Sequence, residues 1–135
     1  MGDMGKIQAQ IEIDCASNSF MLYNHIHIKE LQPDRAVTEL TVTKDNVNPY
    51  GIAHGGALYT MADCACGIAA RSDGRRYVTI SSSFNFLRSA PQGETVFAES
   101  QVRRRGCSTC YVDVDITDSQ GQLLASGNFT FFRIE

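Results

Sequence analysis

Apolar and polar positions along the chain follow two different periods. Between residues 35 and 43, Ala36, Thr38, Leu40 and Val42 alternate with Val37, Glu39 and Thr41, the two-residue period of a strand with one buried face. Residues 27–31 precede that run across the turn signal Pro33-Asp34, so the two segments predict a β-hairpin. Phe20-Met21-Leu22-Tyr23 reads as a short helical turn before it, and residues 1–19 are polar, weakly patterned and expected to be a poorly anchored end. After residues 44–51, a loop dense in turn formers, the period changes. Leu58, Met61, Ala62, Ala65, Ile68 and Ala69 recur at helical spacing, and Ala57, Cys64, Cys66, Gly67 and Ala70 fill the positions between them. A helix this apolar on nearly every side belongs in an interior, and Ser72-Asp73-Gly74 closes it. Residues 76–86, 94–105, 107–117 and 123–133 then read as strands, divided by Pro91-Gln92-Gly93, by Gly106 and by Asp118-Ser119-Gln120-Gly121.

The predicted fold class is α+β, a curved antiparallel sheet of five to six strands wrapping one central helix. At 135 residues the chain suits one domain, expected over residues 20–135. A single sheet around one helix leaves an edge unpaired, so self-association is expected.

Composition narrows the partners. Twelve basic residues against 15 acidic give a net charge of −3, and no field that would draw nucleic acid or an anionic membrane, so neither is expected as a partner. The longest mostly apolar stretch, residues 57–70, is too short to span a bilayer and contains Asp63. With no apolar leader at the start, the expected location is cytoplasmic. Five cysteines, an odd set, argue against a disulfide framework. Cys64-Ala-Cys66 lies in the helical pattern, where two positions apart means about 200° around the axis. Cys107-Ser-Thr-Cys110 lies in a strand-like run, where an odd separation means opposite faces. No metal is expected, and these cysteines read as small buried hydrophobes. His25 and His27, two apart on a strand, would share a half-exposed face as ordinary residues.

The segment that could carry chemistry runs from Asn48 to Asp63. Gly55-Gly56 opens the apolar helix, leaving backbone N–H groups of its first turn accessible at the positive end of the helix dipole. Such groups can polarise a carbonyl oxygen; the same glycines also suit a tight turn and nothing more. Asp63 sits about two turns into a helix with almost no other charge. It is either a general base or nucleophile prepared by desolvation, or a carboxylate satisfied structurally, for example by Arg71. Gly55 and Asp63 are eight residues apart, about 12 Å along the axis. A two-fold partner could bring a second Asp63 to the first chain's Gly55.

This stretch resembles the active-site segment of hotdog-fold acyl-CoA thioesterases of the phenylacetyl-CoA thioesterase (PaaI-like) type. That pattern is carried here by Asn48, Gly51, His54, Gly55, Gly56 and Asp63. The resemblance implies a hotdog fold and hydrolysis of an acyl-CoA thioester at a dimer interface. The Gly55 N–H would bind the thioester carbonyl, with Asn48 and His54 alongside. The partner's Asp63 would activate water or attack the carbonyl itself. In the same family a hydroxyl on the third strand assists, for which Thr79 is the candidate, with Ser81 next on that face. Coenzyme A would enter as part of the substrate with no separate cofactor, its phosphates met by Arg88, Arg103, Arg104 and Arg105, and Gly56 would lie against it. A homodimer is implied, and a dimer of dimers and an acyl carrier protein donor stay open. Two other readings stand beside hydrolysis: a hydratase or dehydratase of acyl thioesters on the same fold, and a non-catalytic acyl-CoA-binding module.

Overall fold

The computed structural model describes residues 4–135. In chain order the elements are helices α1 (Met4–Ala16) and α2 (Ser19–Tyr23), strands β1 (Ile26–Gln32) and β2 (Arg35–Thr41), and helix α3 (Gly55–Arg71). Strands β3 (Tyr77–Phe86), β4 (Thr95–Arg105), β5 (Thr109–Thr117) and β6 (Leu123–Arg133) complete the chain. The strands form one antiparallel sheet in the order β1-β2-β4-β5-β6-β3, the upper end of the expected range.

Helix α3 touches all six strands. Six strands about 4.8 Å apart are far wider than one helix of about 10 Å, so the sheet must curl around it. Ala62, Ala65 and Ala69 are fully buried, and their small side chains let the helix axis lie close to the sheet. Leu40, Val96, Val112, Ile116 and Phe129 close over them from the strands. Along β5 the alternation is strict, with Cys110, Val112, Val114 and Ile116 turned inward. No helix among the described residues is long and apolar enough to cross a membrane.

The N-terminal expectation needs correction. Residues 4–16 form a helix, and Ile11, 1% exposed, is inserted in the main core. The apolar stripe that anchors it is Ile7, Ile11 and Cys15, one residue per turn, which is narrower than the pattern an amphipathic helix usually shows. Arg71 at the end of α3 also donates to Asp14 Oδ2 at 2.7 Å. Residues 1–3 of the expected loose end lie outside the described residues. Two smaller points differ as well. His25 takes a left-handed conformation (φ 60) before β1 and meets Asp45 at 2.9 Å, so it does not share a strand face with His27. Cys107 precedes β5 in an exposed turn, so strand alternation does not separate it from buried Cys110.

Candidate active site

The first turn of α3 leaves one donor open. His54 is the N-cap: its extended backbone (φ −67, ψ 135) ends the preceding loop, and its Nδ1 accepts from the Gly56 N–H at 2.9 Å. Its carbonyl accepts from the N–H groups of Ala57 and Leu58, and its own N–H donates to the Asn46 carbonyl. The Gly55 N–H has no partner among the described residues. At Gly56 a Cβ would stand 3.1 Å from the capping imidazole, so a side chain there would crowd the cap. At Gly55 a Cβ would make an ordinary 3.5 Å contact with the Phe86 ring. Packing therefore does not demand glycine there.

Asn48 lies on the same opening. Its Oδ1 accepts from the N–H groups of Tyr50 and Ile52 at 2.9 and 3.4 Å, a side-chain turn that Gly51 completes with φ 78. The Asn48 amide N–H2 has no partner among the described residues. Asn48, Gly55, Phe86 and Arg88 line one cleft of about 360 Å³. The imidazole of His54 does not join them. It lines a separate cleft with Tyr23, Asp45, Gly56 and Thr60, because capping the helix turns its ring that way.

Asp63 lies half-buried about 12 Å along α3 from Gly55, in a third cleft of about 290 Å³. Thr79 Oγ1 donates to Asp63 Oδ1 at 2.7 Å. Burial pushes the Asp63 carboxyl above its ordinary value, and the Thr79 hydrogen bond pulls it back in part. The strand register decides why Thr79 is the partner. A bulge between Thr79 and Ser81 breaks the alternation of β3, so that Thr79 and Ser82, three residues apart, both meet α3. Ser82 Oγ lies 2.6 Å from the Tyr59 hydroxyl. This pair escaped the sequence reading, although Gly55, Tyr59 and Asp63 follow one another at i, i+4 spacing on one side of the helix. Next to Asp63, burial pushes the Cys64 thiol up to about 12, so it is no nucleophile near neutral pH.

The basic candidates divide sharply. Arg105 is committed to the far end of α3, donating to the carbonyls of Ala69 and Ala70, to Asp34 and Asp73, and to the Tyr77 hydroxyl. This corrects its assignment to coenzyme A phosphates. Arg103 lies 3.3 Å from Asp113. Arg88 and Arg104 are exposed and form no ion pair with another described residue, and only Arg88 shares a cleft with Gly55. No group of three His, Cys, Asp or Glu side chains that could hold a metal exists among the described residues.

Comparison with known proteins agrees on one family. The thioesterase superfamily profile matches residues 50–125. Acyl-coenzyme A thioesterase PaaI of Escherichia coli is 34% identical over 100 residues, covering 74% of this chain and 71% of that protein. The solved E. coli PaaI protein from the phenylacetic acid degradation operon superposes with a TM-score of 0.92 at 28% identity, over 98% of this chain and 96% of that one. A hypothetical thioesterase of Streptococcus pneumoniae TIGR4, solved with coenzyme A, superposes with a TM-score of 0.77 at 31% identity, over 81% of this chain and 88% of that one. The same streptococcal protein has been solved with an aspartate changed to alanine and with a threonine sixteen positions later changed to alanine, the separation of Asp63 and Thr79 here.

Proposed function

The chain belongs to the thioesterase superfamily, and on that premise we propose that it hydrolyses an acyl-CoA thioester to the free acid and coenzyme A. The observation that carries this reading is the single open donor at the N-terminus of α3. The thioester carbonyl oxygen accepts from the Gly55 N–H, where the helix dipole favours the negative charge that develops on it. Gly55 and Asp63 of one chain open into different clefts, so the base comes from a second copy, paired through the exposed edge strand β3. Val78 and Ile80 on that edge are 44% and 56% exposed, apolar surface that a partner would cover.

In that arrangement the partner's Asp63 takes a proton from water as the water oxygen attacks the carbonyl carbon. The tetrahedral intermediate places its oxyanion on the Gly55 N–H. Its collapse breaks the carbon–sulfur bond, and the departing thiolate takes up the proton. Thr79 holds the Asp63 carboxylate in place, and the free amide of Asn48 is available to the attacking water or the carbonyl. Arg88 is the cation best placed for the coenzyme A phosphates. A hydratase would want a histidine facing the substrate, whereas the His54 ring lines a cleft separate from that of Gly55 and Asn48. The streptococcal thioesterase solved with coenzyme A supports the coenzyme A part of the reading.

The test is thiol release detected with a thiol-reactive dye over a panel of acyl-CoAs, after subtracting the signal of the protein's own cysteines. Removing a general base typically costs about 10²- to 10⁴-fold, so Asp63→Ala is expected to lose turnover by that factor with the fold intact. Undiminished hydrolysis in that variant would sink the mechanism. Acyl-CoA binding without turnover would favour a binding module.

A further inference from the structure

Helix α1 takes no part in the chemistry described above, yet it forms a wall of the cleft that holds Asp63. Asp14 and Cys15 from α1 and Met21 from α2 face that cleft, with Gly67, Ile68 and Phe131 contributed by the body of the fold. The wall is built into the molecule. Ile11 anchors α1 in the core, Arg71 clasps Asp14 at 2.7 Å, and Asn18 caps α2 by accepting from the Met21 N–H. Both N-terminal helices lie outside residues 50–125, the span of the family profile, although the superposition on E. coli PaaI extends over them.

Resting on the thioesterase reading, we propose that α1 closes the acyl end of the site, with Cys15 and the Asp14–Arg71 pair setting the largest acyl group accepted. The thioester carbonyl lies between Gly55 and the partner's Asp63, so the two halves of the substrate must leave in different directions. The half bearing charged phosphates goes to the cleft with Arg88 and Asn48. The uncharged acyl half is left with the cleft beside Asp63, where Met21, Ile68 and Phe131 offer apolar contact. Each methylene buried there is worth about 0.8 kcal/mol, roughly a fourfold gain in kcat/KM, as long as space remains. Cys15 and the Asp14–Arg71 pair line that cleft together. It suits a short or compact acyl group, because a longer one meets Cys15 and must then strip water from a charged pair.

The experiment is a kcat/KM series from acetyl-CoA to dodecanoyl-CoA, run on the full chain and on Cys15→Phe and Asp14→Ser, each checked for folding by thermal melt. For the unmodified chain we expect efficiency to climb with acyl length and then break sharply. Cys15→Phe is expected to move the break to a shorter chain, lowering the hexanoyl-to-acetyl ratio at least tenfold. Asp14→Ser, which opens the clasp at the exposed rim, is expected to move it to a longer one. A shift of the break in either folded variant supports the proposal, so the rim variant carries the test alone if the larger side chain disrupts folding. Hydrolysis with the same length profile in every folded variant overturns this inference and leaves the thioesterase reading standing. Absence of hydrolysis by the unmodified chain overturns both.

Discussion

Helix α3 ends in two contrasting ways. At its C-terminus the Ala69 carbonyl accepts from the Ser72 N–H, the Ser72 hydroxyl and Arg105, the Ala70 carbonyl from Arg105, and the Arg71 carbonyl from the Gly74 N–H. At its N-terminus His54 satisfies its neighbours by side chain and carbonyl, and the Gly55 N–H is left to the solvent-facing cleft. Both ends face the same demand, that a helix terminus leaves backbone groups without intrahelical partners. Where the chain supplies partners for the last three carbonyls, the terminus is scaffold and fixes α3 against β3 and β4 through Arg105 and Tyr77. Where it withholds one, the terminus keeps a donor free for a ligand, with the dipole already oriented.

The strongest way to break this contrast is to close the open end. Gly55→Pro removes the one N–H while keeping the helix, since proline is at home in the first helical position and the extended His54 backbone suits a following proline. Loss of one such donor is worth about 10²- to 10³-fold, so kcat/KM is expected to fall by that factor while circular dichroism stays helical. Gly55→Ala, which retains the N–H and meets only Phe86 at 3.5 Å, is expected to stay near full activity. Mixing and refolding Gly55→Pro with Asp63→Ala chains is expected to restore activity, because one site of each mixed dimer has both groups intact. No recovery would place the base in the same chain as the N–H.

Opening the closed end gives a different readout. Arg105→Met keeps the stem but strips partners from two carbonyls and from Asp73, at a cost of about 2–3 kcal/mol in urea or thermal unfolding. Its KM for acyl-CoA is expected to hold, whereas Arg88→Ala is expected to raise KM about fivefold and leave stability alone, as for an exposed ion pair of about 1 kcal/mol. Reversal of those two outcomes would return Arg105 to the phosphate site.

The smallest and most specific effect concerns pH. With Asp63 as the proposed general base, which must be ionised, activity is expected to rise with pH through the Asp63 pKa, which burial holds above the ordinary carboxylate value. The Thr79 hydroxyl favours the ionised form. In Thr79→Val burial acts unopposed, and the acid limb of kcat/KM is expected to move to higher pH, with only a modest loss on the plateau. A limb that stays in place or moves to lower pH would separate Asp63 from that limb.

Much of this was written in the chain's periodicities. The switch from two-residue alternation at Ala36–Leu40 to helical spacing at Leu58–Ala69 is a local property of side-chain direction, so the order of strands and helix and the burial of α3 followed from sequence alone. So did the pairing of Gly55 with a helix terminus and the isolation of Asp63 among apolar neighbours. Three things depended on contacts between residues far apart, which no local pattern encodes. Helix α1 is held by a one-residue stripe and an ion pair across 57 positions, Asp14 to Arg71, which look unremarkable until the two segments meet. Thr79 was one of several hydroxyls on β3 until the bulge shifted the strand's alternation and aimed it at Asp63. Arg105 resembled its neighbours Arg103 and Arg104 in sequence, yet only its position at the end of β4 brings it under the last carbonyls of α3. Periodicity fixes which face a residue takes within its own element, while register and packing fix what that face meets.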